Sequence, residues 1–121
     1  MERKPHTNLE AWKVAMNLVV EVYRTTGKFP HSEQYGLVSQ MRRAAVSVPS
    51  NIAEGAARSS RKEFANFLSI ARGSLSELET QKEIAIRVGF MQQNVYIDNL
   101  LDRTSRLMTG LHKKLRSTIQ S

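Results

Sequence analysis

Between residues 38 and 56 apolar side chains return every three or four positions, and a proline stands inside the run. At about 100° per residue, Val38, Met41, Ala45, Val48, Ile52 and Ala56 form one helical seam. Gln40, Arg43, Ser47, Asn51, Glu54 and Arg58 make a polar stripe opposite. Val46, Pro49 and Ala53 widen the apolar arc to roughly half the circumference, beyond the single stripe that two-layer packing needs. The surplus asks for a second neighbour, either another helix of the same chain or another subunit; a deeply buried central helix accounts for it equally. Pro49 lacks an N–H and its ring clashes with the carbonyl of Ala45, so a kink or break is expected there. Because the seam keeps its phase past Pro49, one kinked helix is preferred to two short ones. The kink re-aims Ser50, Asn51 and Glu54.

Three further segments carry the same period. A first helix over about 8–26 has the seam Leu9, Trp12, Met16, Val19 and Tyr23, with a capping box from Thr7 to Glu10 at its start. Trp12 and Tyr23 fall on the seam and read as core anchors, not as a platform for stacking bases. Gly27 offers a left-handed stop and Pro30 prevents continuation. Ser32 and Glu33 suit the start of a second helix over about 33–57, with Gly36 a small cost early in it. A third helix, about 61–88, opens on the capping box Ser60 to Glu63 and ends at Gly89. Its seam is Phe64, Phe67, Leu68, Ala71, Leu75, Leu78, Ala85 and Ile86, beside a weaker apolar line of Ile70, Ile84 and Val88. A fourth helix over about 93–119 buries Val95 or Ile97, then Leu100, Leu101, Leu107, Met108, Leu111, Leu115 and Ile119, with fraying confined to its last turn. Four amphipathic helices, short connections and no strand-period segment predict an all-α chain: one domain over 1–121, an antiparallel up-down-up-down four-helix bundle.

The 121 residues carry 18 Lys and Arg against 11 Asp and Glu, a net charge of +7. That excess favours a polyanionic partner, nucleic acid first. Residues 42–62 hold Arg42, Arg43, Arg58, Arg61 and Lys62 against the single acid Glu54. From Arg103 onward come Arg106, Lys113, Lys114 and Arg116 and no acid. Cysteine is absent, which excludes disulfides and thiolate chemistry. Neither a leader sequence nor a membrane span is visible, so a cytoplasmic protein without membrane attachment is expected. No phosphate-binding glycine loop occurs. His6, His31 and His112 lack partners at metal-ligand spacing, and no Glu-x-x-His pair suggests a di-iron centre. Glu77, Glu79 and Glu83 read as solvated partners of Arg72, Lys82 or Arg87. Ser47, Ser50, Ser59 and Ser60 have no base to activate them. No catalytic residue, metal or cofactor is expected.

The run over residues 35–85 closely resembles the bacterial four-helix bundle family named for the 23S rRNA intervening sequences that encode some members. Its most specific element is Arg42-Arg43-Ala44-Ala45-Val46-Ser47-Val48-Pro49-Ser50-Asn51-Ile52-Ala53-Glu54-Gly55. Phe67-Leu68 and the run Gly73-Ser74-Leu75-Ser76-Glu77-Leu78-Glu79-Thr80-Gln81 extend it. Leu9, Trp12 and Ala15 match the opening helix and Phe29-Pro30 the first connection, so the resemblance covers most of the chain and weakens past Gly89. It implies up-down bundles assembled into homopentameric rings or barrels, similar in architecture to accessory proteins of diversity-generating retroelements, which bind nucleic acid and a reverse transcriptase. The motif transfers no catalytic residue.

Two functions fit. The first is non-enzymatic binding of nucleic acid, RNA or DNA with structured RNA favoured, through Arg43, Arg58, Arg61, Lys62, Lys113, Lys114 and Arg116. Few exposed aromatics are expected, which disfavours single-strand stacking. The second is a scaffold or accessory subunit whose partner is a protein. In either case Arg42, Val46, Pro49, Ala53, Ile70 and Ile84 are the expected interface between copies. Arg42 points toward the apolar flank, where it either pairs with Glu54 or Glu63 of a neighbour or lays its stem on its own surface.

Overall fold

The computed structural model describes residues 4–120, with side chains through Ser117. The chain is all-α, with four helices and no strand among the described residues: α1 (Glu10–Thr26), α2 (Leu37–Ala56), α3 (Arg61–Arg87) and α4 (Val95–Gln120). Short 3₁₀ turns at Pro5–Asn8 and His31–Glu33 precede α1 and α2. No helix among these residues is long and apolar enough to cross a membrane.

The first turn of α1 departs from the sequence expectation. Thr7 makes no capping box; its hydroxyl donates to the carbonyl of Lys4 at 2.9 Å inside the 3₁₀ turn, and Leu9 is the cap residue. The buried face is Ala11, Val14, Ala15, Leu18 and Val22, one position away from the expected seam. Leu9, Trp12 and Val19 pack against the edge of the core, and Met16 and Tyr23 face outward, 40% and 43% exposed. Apolar side chains line most of α1, so two i, i+3, i+4 lines compete. The narrower one wins because Ala and Val let the neighbouring helices come close. Gly27 is not left-handed (φ −61°, ψ −19°); α1 ends on tightened turns, with Lys28 N–H donating to Thr25 and Phe29 N–H to Thr26.

The second helix begins later than expected. Ser32 lies inside the 3₁₀ turn His31–Glu33, and Gly36 is the residue before α2, not a member of it. The Glu33 carboxylate still reaches the helix start, accepting from Leu37 N–H at 3.5 Å. The helix continues through Pro49 to Ala56. Its buried residues are Val38, Met41, Ala44, Ala45, Val48, Pro49, Ile52 and Gly55. The wide apolar arc is therefore largely answered within the chain, chiefly by α3. Ser47 and Asn51 of the polar stripe turn toward α3: Ser47 Oγ shares a hydrogen bond with Ser74 Oγ at 2.7 Å, and Asn51 Nδ2 donates to Ser47 Oγ at 2.9 Å. Beyond them Gly55 lies so close to α3 that an added Cβ would stand 2.8 Å from Phe67 Cβ.

The ends of α3 follow the sequence. Ser60 Oγ accepts from Glu63 N–H at 3.1 Å and donates to its carboxylate at 3.3 Å. At the far end Gly89 takes φ 85°, Gly89 N–H reaches Ile86 O and Phe90 N–H reaches Ala85 O, a Schellman stop. The seam holds at Leu68, Ala71, Leu75, Leu78 and Ala85. Buried Gln81 joins it, with Nε2 on Glu77 at 3.2 Å. In α4 Ile97 is buried and Val95 is 72% exposed, which decides between them. Thr104 enters the core by donating its hydroxyl to Leu100 O at 2.6 Å. The expected core position Ile119 and the fraying of the last turn lie outside the described side chains. The buried side chains of the four helices form one cluster.

Candidate nucleic-acid interface

Local spacing decides which basic side chains are engaged. A carboxylate three or four residues away on the same helix captures its cation: Lys13 with Glu10 (3.4 Å), Arg24 with Glu21 (3.0 Å), Arg58 with Glu54 (3.1 Å), Arg87 with Glu83 (3.4 Å) and Arg106 with Asp102 (3.1 Å). Two longer pairs are Lys82 with Asp98 at 2.8 Å and Arg103 with Glu10 at 3.7 Å. Arg43, Arg61, Lys62, Arg72, Lys113 and Arg116 have no such neighbour and make no ion pair with any described residue.

Most of these unpaired cations gather toward one end of the molecule. Arg61 and Lys62 open α3, directly after the α2–α3 connection. The last turns of α4 pack beside the early turns of α3, where Ser69 Oγ and His112 Nε2 lie 3.0 Å apart. That contact brings Lys113, Lys114 and Arg116 alongside the first half of α3. Burial, followed by the charges of Arg72 and Arg116, pushes the His112 pKa below its ordinary value of 6.5. Burial disfavours the charged imidazolium first, and the two neighbouring guanidinium groups add to it. Arg72 was expected to pair with an acid of its own helix; it joins this basic end instead. The signal was in the sequence, since positions 68, 69, 75 and 76 are Leu, Ser, Leu and Ser.

Two predicted residues have other work. Arg58 is held by Glu54, approaches Glu63 at 3.9 Å, and lies 4.9 Å from the centroid of the Phe67 ring. It stitches the α2–α3 corner. Arg42 closes the end of α1: Nε donates to Thr26 Oγ1 at 3.0 Å, an Nη to the Tyr23 carbonyl at 3.4 Å, and the guanidinium stands 4.5 Å from the Tyr23 ring centroid. A cation on the last carbonyls of a helix complements its dipole. Within its own chain Arg42 lies on the end of α1, and Glu54 and Glu63 meet Arg58 and Ser60.

Of the expected interface between copies, Pro49 is buried in the chain's own core. Val46, Ile70 and Ile84 are exposed and Ala53 is half-buried. The expectation of few exposed aromatics fails: Tyr35 is 93% exposed and Tyr96 55%, in addition to Tyr23. No group of three His, Asp or Glu among the described residues could hold a metal.

The sequence matches the family of 23S rRNA-intervening sequence proteins over residues 7–113. The chain belongs to this family. Among solved structures it is similar to a protein of unknown function from the S23 ribosomal protein family of Bacteroides thetaiotaomicron, with a TM-score of 0.62 and 22% identity. That match covers 92% of this chain and 99% of the other, and it shows a shared fold. No curated protein matches the chain. Family membership places the Arg42–Gly55 element within a known kind of chain, while the role of each arginine rests on the geometry above.

Proposed function

We propose that this family member is a non-enzymatic nucleic-acid-binding protein, with structured RNA its favoured ligand, acting as a homo-oligomer. The observation that carries the reading is the one-sided use of charge. Among the described residues seven carboxylates are engaged by cations of their own chain, while Arg61, Lys62, Arg72, Lys113 and Arg116 stand without an acid toward one end. Such a surface suits a phosphate backbone, which is bound chiefly by Lys and Arg and without regard to sequence. A groove lined by Glu79, Glu83, Asp98 and Asp102 lies between α3 and α4, so the basic character is local and not spread over the whole surface.

An antiparallel up-down-up-down course is part of the reading. Ser47 meets Ser74 while Gly55 meets Phe64 and Phe67, and Ser69 meets His112 while Lys82 meets Asp98; numbers rise along one helix as they fall along its neighbour. Exposed Val46 on α2 and Ile70 and Ile84 on α3 support association of copies, with the pentamer suggested by the family resemblance. Assembly repeats the basic end once per copy and strengthens its field. A cytoplasmic location fits this role. The same apolar residues favour a second reading, a scaffold for a partner protein.

The test is a fluorescence titration of nuclease-treated protein with a structured RNA at two salt concentrations. Replacing Lys113, Lys114 and Arg116 by Ala is expected to weaken binding for every sequence and to flatten the log–log salt slope by up to about 3. Unchanged affinity and slope would remove the α4 end from the interface.

A further inference from the structure

A second surface lies at the opposite end of α2. Its first turns, the end of α1 and the intervening connection enclose a groove of about 600 Å³, lined in part by Tyr23, Gln34, Tyr35, Ser39, Arg42 and Arg43. The size falls within the range of small-ligand sites. No carboxylate of the described residues lines it. The α3–α4 groove, of about 710 Å³, has four carboxylates around one lysine, which is already bound to Asp98. Of the two, only the first suits an anion.

The groove divides its chemistry between a fixed part and a free part. Arg42 is immobilised by Thr26 and the Tyr23 carbonyl, with its guanidinium over the Tyr23 ring. A guanidinium plane stacked on one side against an aromatic ring leaves its other side for a second π system, and nucleic-acid bases stack on such planes. Tyr35 stands almost fully in water at 93% exposed, with no ring contact to any described residue. Arg43 is exposed and makes no ion pair with any described residue, so it can meet a phosphate with two parallel N–H donors. A flat ring, a flat cation and a free guanidinium around one groove match the two faces of a nucleotide's base and its phosphate.

We propose that this groove takes one unpaired nucleotide of an RNA, its base between Tyr35 and the Arg42–Tyr23 stack and its phosphate on Arg43. The proposal rests on the nucleic-acid reading above and adds a stacking contact to it. Groove and basic end lie about 25 Å apart, at about 1.5 Å per residue along α2. An RNA with a duplex stem and an unpaired loop can occupy both. A fully paired duplex offers the groove nothing, because its bases are stacked on one another.

The experiment compares the full chain with Tyr35→Ala and Tyr35→Phe, titrated with a stem–loop RNA and with a duplex of the same length. Since Tyr35 packs against little, these variants keep the fold. Tyr35→Ala is expected to weaken stem–loop binding about 5- to 150-fold, as loss of one base–aromatic stack does, with the salt slope unchanged. Duplex binding stays at the parent value, and Tyr35→Phe retains stem–loop binding because the ring is kept. If Tyr35→Ala binds the stem–loop as the parent does, the groove proposal falls and the basic-end reading stands. If the parent binds neither RNA, both fall. A change of sedimentation coefficient in Tyr35→Ala, with RNA affinity intact, would show a second copy covering the groove and also overturn the proposal.

Discussion

Replacing Gly55 by Ala isolates how closely α2 and α3 approach. A Cβ at position 55 would lie 2.8 Å from Phe67 Cβ, 2.9 Å from Phe64 Cδ1 and 3.3 Å from Phe64 O. Carbon atoms rest at about 3.5–4.0 Å, so the gap must open by about 0.7 Å. Phe67 Cβ is one bond from the backbone and cannot swing away; the helices themselves must part. Overpacking of this kind costs about 1–3 kcal/mol. The substitution also gains about 1 kcal/mol in helix propensity, which clouds the single measurement. Gly73 and Gly110 remove the ambiguity: both are inside helices, and an added Cβ at either meets nothing within 4 Å. Gly73→Ala and Gly110→Ala carry the propensity gain alone and are expected to stabilise by about 0.5–1 kcal/mol each. The difference between Gly55→Ala and Gly73→Ala therefore reads packing directly, about 1–3 kcal/mol. At about 2.1 cal/mol/K per residue that is a Tm difference of about 4–12 °C for a chain of this length. The assay is thermal and urea unfolding at one fixed protein concentration, since assembly would make Tm depend on it. Equal stability of Gly55→Ala and Gly73→Ala would refute the close approach.

Two further outcomes follow from the charges. Arg42→Ala takes the donor from the Thr26 hydroxyl and the guanidinium from the Tyr23 ring, although the Tyr23 carbonyl keeps Gly27 N–H at 3.0 Å. It should cost about 1–2 kcal/mol, lowering Tm by about 4–8 °C, while Arg43→Ala, one position on, stays within about 2 °C of the parent. His112, facing Ser69 and Arg72 on α3 and Arg116 on its own helix, has a folded pKa below the unfolded value of 6.5. The unfolded chain therefore binds more protons in the window just below pH 6.5, and stability is lost as pH falls through it. Urea titrations above and below that window should show the parent losing more stability on acidification than His112→Gln.

The number and type of helices were legible because each carries an uninterrupted period, and their stops were legible where one residue type has one conformational use. Gly89 is left-handed and closes α3; Ser60 caps its start. Gly27 and Thr7 had the same sequence signals and a different outcome. Neighbouring 3₁₀ turns satisfied the backbone first, which removed the need for a left-handed glycine or a side-chain cap. The face of α1 was misread by one position because large side chains were weighted over small ones. In a helix apolar around most of its surface, close packing against neighbours selects the small residues, and bulky Met16 and Tyr23 are turned out.

The site was partly legible for a different reason, the range of the interactions involved. Whether a cation is spoken for is mostly a local question, answered by the residues three and four positions away. That rule separates Arg58, which has Glu54, from Arg43, Arg61, Lys62, Arg72, Lys113 and Arg116, which have no acid at those positions. Applied strictly, it sets Arg58 among the paired cations and Arg72 among the unpaired ones. Lys82 and Arg103 escape it, because their acids come from other helices. Arg42 escapes it further: its partners are a hydroxyl, a carbonyl and a ring at the end of α1, invisible to any charge pattern. Fixing Arg42 there is what turns Tyr23 from an expected core anchor into one wall of a groove. The aromatic side of this surface thus arises from tertiary packing, and the basic side from local sequence.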